Sequence, residues 1–124
     1  MPADLTEDRA VRRWFESAHL DNEAPEEQTH RLALLAGFCG HAGQSPRELV
    51  AGLLRTTKEG ETAISAKRRT AMNAAIDEFV EESGFTGRDG VVNGNVIRSF
   101  LVHNGIFIQG RARRAERAAL EGLT

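Results

Sequence analysis

The sequence predicts an all-α domain, a compact bundle of four to five helices, on three observations. Apolar residues recur at helical spacing in successive segments of the 124-residue chain. Residues that favour helix starts and stops punctuate those segments. The one short apolar extension outside them, Ile106-Phe107-Ile108, is too brief to count as a strand.

Each element has a local reason. Thr6-Glu7-Asp8 offers a cap and two acids for the first turn of a helix running from Glu7 to Ala18, with Val11, Trp14, Phe15 and Ala18 inward. Leu20 to Ala24 is polar and reads as a loop. Pro25 opens a second helix at the position proline favours, with Leu32, Leu35, Phe38 and Cys39 on its inner face. Gly40 to Gln44 breaks the chain. Ser45-Pro46-Arg47-Glu48 is a capping box that starts a third helix, continuing through Leu53 and Leu54 and ended by Lys58-Glu59-Gly60. A fourth helix starts near Thr62 or Ser65 and runs to about Ser83, with Met72, Ile76, Phe79 and Val80 buried. The three glycines of the segment Phe85 to Gly94, at 87, 90 and 94, predict a mobile loop. The organising stretch follows: Val96, Ile97, Phe100 and Leu101 form one apolar stripe, closed by Asn104-Gly105. The tail from Arg111 to Leu120 is a helix in need of a partner or a frayed linker. No internal repeat or low-complexity tract is present.

Composition narrows the classes. Hydrophobic residues make up 40% and charged residues 27%, as in an ordinary soluble globular domain. Cys39 is single and lies in an apolar helical run, so it reads as a buried hydrophobe in a reducing compartment. No apolar run approaches the ~20 residues needed to span a bilayer. The acidic N-terminus lacks a signal-peptide pattern. A cytoplasmic chain with no membrane association is the expectation.

The net charge of −2 conceals a gradient. Residues 1–28 hold three basic and eight acidic side chains; residues 29–124 hold thirteen basic and ten acidic. The reading is an acidic leader with the first helix (1–28), a basic helical core (29–110) and a basic tail or linker (111–124).

No catalytic constellation emerges. The histidines at 19, 30, 41 and 103 have no His or Cys partner at ligand spacing, so no metal or cofactor is expected. Glycines at 87 and 90 lack the Gly-Lys-Ser/Thr ending of a phosphate loop. Charge placement is more telling. Lys67, Arg68 and Arg69 occupy the early turns of the fourth helix, while Asp77, Glu78, Glu81 and Glu82 crowd its other half. The helix dipole prefers the reverse by roughly 0.3–1 kcal/mol per exposed charge. Positive potential at a helix start suits a phosphate; alternatively, these bases pair with acids such as Glu61. Arg98 lies on an otherwise apolar helix behind Asn93-Gly94-Asn95, small groups able to approach a backbone. Arg111, Arg113, Arg114 and Arg117 form a further cluster, either nucleic-acid-contacting or solubilising with Glu116 and Glu121.

Three segments, in this order and spacing, resemble the N-terminal core-binding domain of tyrosine recombinases, the phage-integrase family with a SAM-like helical fold. They are Arg31-x-x-x-Leu35-x-x-Phe38 followed by Gly43-Gln44-Ser45-Pro46-Arg47-Glu48-Leu49; Ile76-x-x-Phe79-Val80 with Glu81-Glu82-Ser83-Gly84; and Ile97-Arg98-Ser99-Phe100-Leu101-Val102-His103-Asn104-Gly105-Ile106. The resemblance implies a helical clamp on duplex DNA, contacting mainly phosphates, with Arg31 and Arg98 at the contacting positions. It also implies a separate catalytic domain with a Tyr nucleophile. This chain has no Tyr, so it is expected to be non-catalytic, an excised domain or a stand-alone relative. Where that family usually has Thr and Tyr at the start of the second helix, this chain has Glu27 and Arg31. The expected DNA-binding set is therefore Arg31, Lys67, Arg68, Arg69, Asn95, Arg98, Arg111, Arg113 and Arg114. Expected partners are duplex DNA, a catalytic domain or further copies of the chain on DNA, with a monomer in isolation. The competing reading is a helical protein–protein interaction module that docks through the acidic leader and Ile106-Phe107-Ile108.

Overall fold

A computed structural model describes residues 5–109. Five α-helices and one two-stranded hairpin make up the described fold: α1 (Arg9–Ser17), α2 (Pro25–Ala42), α3 (Pro46–Ala51), β1 (Leu54–Thr56), β2 (Thr62–Ile64), α4 (Ala66–Glu82) and α5 (Gly87–Val102). Short 3₁₀ turns at Leu5–Glu7 and Leu20–Asn22 precede and follow α1. The mostly helical class is as the sequence predicts.

Local chemistry accounts for the ends. Asp8, rather than Thr6, caps α1: its carboxylate accepts from the N–H groups of Ala10 (2.8 Å) and Val11 (3.4 Å). Its second oxygen accepts from the Arg47 N–H at 3.3 Å, tying the start of α1 to that of α3. α2 runs through Gly40 and His41 and stops at Gly43, whose φ of +69° few other residues tolerate. The Ser45–Glu48 capping box is present in both directions. It holds the Glu48 carboxyl below its ordinary value, because the Ser45 backbone N–H and side chain hydrogen-bond to it.

Two elements depart from the sequence expectation. The third helix ends at Ala51, and Leu54–Thr56 pairs antiparallel with Thr62–Ile64, Leu54 opposite Ile64. Leu53, which reads as one more helical apolar position, is buried, and its carbonyl accepts from Ser65 N–H at 2.8 Å. β-Branched residues on both sides of Lys58-Glu59-Gly60 favour the strand. The segment expected to be a mobile loop is the first half of α5. Its glycines permit close packing instead of motion. A Cβ at Gly90 would lie 3.1 Å from the Phe85 carbonyl oxygen and 3.3 Å from Val80, and one at Gly94 would lie 2.7 Å from Arg98 Nη1.

The core forms around α5, which packs against α1, α2 and α4. Ile97, Phe100 and Leu101 are fully buried, as are Trp14, Leu35, Phe38 and Ile76 from the surrounding helices. Trp14 meets Phe100 edge-on at 5.6 Å, and its indole N–H donates to Ser99 Oγ at 3.1 Å. Ser99 therefore leaves the apolar stripe but not the interior face. After α5, the Asn104 side-chain amide donates to the carbonyls of Ala10 and Phe100, and Ile106 and Ile108 return to the core. α1 is thus part of the same core as the rest, although its surrounding sequence is acidic. The expectations on residues 111–124 lie outside the described residues.

Replacing Gly94 by valine should lower unfolding free energy by about 1–3 kcal/mol, because the new methyls must displace a held guanidinium. Urea denaturation followed by Trp14 fluorescence measures it.

Candidate nucleic-acid interface

Of the nine residues expected to touch DNA, the six that lie among the described residues do not form one surface. Arg98 is turned inward and only 4% exposed. Its side chain runs back along α5 over Gly94, as helical side chains do. Nε donates to Asn73 Oδ1 at 2.7 Å, and Nη2 donates to Asp77 Oδ1 at 2.8 Å and the Asn73 carbonyl at 3.4 Å. Asn73 in turn donates from Nδ2 to the Gln109 carbonyl. Arg98 is therefore a fastener between α5 and α4, and the expectation that it reaches DNA is corrected. A cation placed on a stripe of buried residues follows that stripe inward when a carboxylate waits there.

Arg31 is also engaged. Nη2 lies 3.0 Å from Glu23 Oε1, and Nε is buried without a hydrogen-bond acceptor among the described residues. It sits in the N-terminal half of α2, whereas Gly37, Phe38 and His41 of the other half meet α4. Asn95 is exposed on α5. Arg111, Arg113 and Arg114 lie outside the described residues.

The triplet at the start of α4 behaves differently. Lys67 and Arg68 are exposed and Arg69 is partly so. Ser65 caps the helix by accepting from the Arg68 N–H at 3.2 Å. The Arg68 guanidinium leans on the hairpin root, donating to the carbonyls of Gly52 (3.3 Å) and Leu54 (3.4 Å). Arg69 donates to the Phe107 carbonyl at 3.4 Å. These bonds orient the guanidinium groups and leave their charge uncancelled. Among the described residues the Arg and Lys ion pairs are Arg31–Glu23 and Arg98–Asp77, and His41 stands against Glu78 and Glu82; Glu61 takes no part. Arg55 stands exposed on β1, the strand whose base Arg68 holds. The turn between the strands carries Lys58 with Glu59 and Glu61.

At the opposite pole of α4, three of the four acids meet side chains of other helices. Asp77 neutralises Arg98, and Glu78 and Glu82 face His41. The His41 cluster is what spacing along the chain does not reveal, since its donors come from different helices. An i, i+4 pair of glutamates was the available signal.

Burial in α2, reinforced by the Asp8 carboxylate, pushes the Cys39 thiol from 9.0 to about 12. It therefore holds no reactive thiolate at neutral pH. The groove between α2, α3 and α4 has an apolar floor of Phe38, Leu49, Leu53 and Met72, with His41, Gln44 and Arg68 on its rim. No helix of the described residues is long and apolar enough to cross a membrane. No protein-family model, curated protein or solved structure matches the chain.

Two outcomes follow. Asp77→Ala should cost about 2–3 kcal/mol of stability in urea titration, below the range for fully buried pairs because Asp77 itself is one-third exposed. Cys39 should react with a thiol reagent at pH 8 on the order of a hundredfold slower in the native protein than in denaturant. Its raised pKa also makes stability fall as pH rises between 9.0 and about 12, where the unfolded thiol ionises and the folded one does not.

Proposed function

We propose that this chain is a non-catalytic domain that binds duplex DNA through phosphate contacts made by the start of α4 and the adjoining hairpin. The observation that carries the reading is the triplet Lys67-Arg68-Arg69. Among the described residues, no carboxylate lies within ion-pair distance of it, although acids are plentiful elsewhere on the same helix. Unpaired bases at a helix start combine with the unsatisfied first-turn N–H groups to favour an anion. Duplex DNA presents a phosphate every few ångströms along each strand, so it offers several partners to a cluster of such bases. Arg55, a further exposed base, follows Leu54, whose carbonyl Arg68 meets.

The resemblance to the core-binding domain of tyrosine recombinases supports the same class of ligand and suggests that a catalytic domain, or further copies of the chain, would complete the assembly on DNA. The contact residues differ from those that resemblance implies. Arg98 is committed to Asp77 and Arg31 to Glu23, so the bases of α4 and the hairpin carry the interface.

The interaction-module reading retains Phe107, which is 60% exposed, with Val92 and Val102 the other large apolar side chains exposed among the described residues. Its neighbours Ile106 and Ile108 are buried in the domain's own core, which leaves little of that segment for a partner.

Fluorescence anisotropy of labelled duplex DNA between about 50 and 200 mM salt tests the proposal. Binding should weaken with salt, with a log–log slope of about −3 for three to four neutralised phosphates. The double reversal Lys67→Glu/Arg68→Glu should weaken it at least roughly tenfold and flatten the slope, as lost phosphate contacts require. Arg31→Ala should leave it within about twofold, as expected for a cation already paired at a protein surface. No binding at low salt by the folded protein would transfer the assignment to a protein partner at Phe107.

A further inference from the structure

The far end of α4 carries more negative charge than its helix tolerates comfortably. Asp77, Glu78, Glu81 and Glu82 sit where the carbonyl end of the helix dipole is already negative. Asp77 has Arg98 as counter-charge. Glu78 and Glu82 stand one turn apart on the same face, an arrangement in which like charges repel.

Between them lies His41, from the last turn of α2. Its Nδ1 is 3.3 Å from Glu82 Oε2, and its Nε2 is 4.0 Å from Glu78 Oε1. The ring does not sweep freely through solvent. It stacks on Phe38 at 6.3 Å and meets Phe79 at 5.7 Å, leaving 23% of the side chain exposed. The two helices are held at a fixed approach. Phe38 and Phe79 meet edge to face at 5.6 Å, and a Cβ at Gly37 would come within 3.0 Å of the Phe79 ring. Aromatic packing thus sets the imidazole against the two carboxylates, independently of any attraction between them.

We propose that His41, Glu78 and Glu82 form a binding site for a divalent transition-metal ion, best matched to zinc, that joins the end of α2 to the end of α4. One imidazole nitrogen and two carboxylate oxygens are a borderline-soft and hard donor set; it suits zinc and its neighbours and is poor for magnesium or calcium, which take oxygen alone. Metal–donor bonds of about 2.0–2.2 Å place tetrahedral donors about 3.3 Å apart. The His41–Glu82 separation already has that value. All three donor atoms lie within 4.8 Å of one another. Glu78 is the most exposed of the three, and a rotamer change draws its carboxylate in. Water completes the fourth position. The ion would cancel the repulsion between the glutamates and cross-link two helices, so it acts on stability and needs no link to DNA.

Isothermal titration of zinc chloride into the chain at pH 7, paired with thermal melts, tests the site. One ion per chain should bind, and saturation should raise Tm by about 5 °C or more. His41→Ala, Glu78→Gln and Glu82→Gln should each weaken zinc at least roughly tenfold, as loss of one of three ligands requires. His30→Ala, outside the cluster, should leave affinity unchanged. Magnesium should not shift Tm. Because the three side chains reach solvent, the variants should melt near the parent without metal; a variant that does not fold is replaced by cobalt(II) titration of the parent, in which tetrahedral visible bands should appear. Zinc binding that is absent, or that survives these three substitutions, overturns the proposal, and so does binding without a rise in Tm.

Discussion

The contact between Arg98 and Asp77 sets the terms for the rest of the molecule. A guanidinium on the buried side of α5 is costly unless a carboxylate and hydrogen-bond acceptors receive it. α4 provides these one turn apart, Asp77 for the charge and Asn73 for Nε. To reach them the side chain must pass over Gly94, where no Cβ fits. The helix can afford glycine there because tertiary packing on three neighbouring helices holds it, in place of intrinsic propensity. Once α4 and α5 are fastened in this way, the hairpin, the basic triplet and the His41 cluster have fixed positions on α4.

This fastening also explains the charge distribution along α4. Three of its four C-terminal acids meet side chains of other helices: Asp77 meets Arg98 of α5, and Glu78 and Glu82 meet His41 of α2. Its bases meet only backbone carbonyls. The helix is electrically polarised against its own dipole because one end is occupied with structure while the other faces outward.

The helix count, the Ser45–Glu48 capping box, the opening proline of α2 and most of the core were legible in the sequence, because capping boxes and 3.6-residue periodicity are local properties. Leu35, Phe38, Ile76, Ile97, Phe100 and Leu101 lie where their spacing puts them. The hairpin was hidden because Leu53 and Leu54 continue the preceding helical period, and three-residue strands carry too little pattern to compete with it. The glycines of α5 misled for a different reason: their composition suits a loop, and only the neighbouring Val80 and Arg98 show why side chains are excluded. Arg98 itself was legible as unusual but not as inward, since its counter-charge lies on another helix. The same holds for His41, whose partners are near only after folding.

The bonds from Trp14 to Ser99 and from Asn104 to Ala10 join positions 85 and 94 residues apart. They have a consequence for the order in which the domain is made. Closing loops of that length carries an entropic cost that must be met before either contact helps. During synthesis, α1 emerges first but cannot bury Trp14 until α5 has left the ribosome, nearly the whole described domain later. Through that interval α1 lacks the partners of Trp14 on α5, although its contacts to α3 are already within reach. Contacts this distant in sequence favour slower folding than a bundle of sequential hairpins would show.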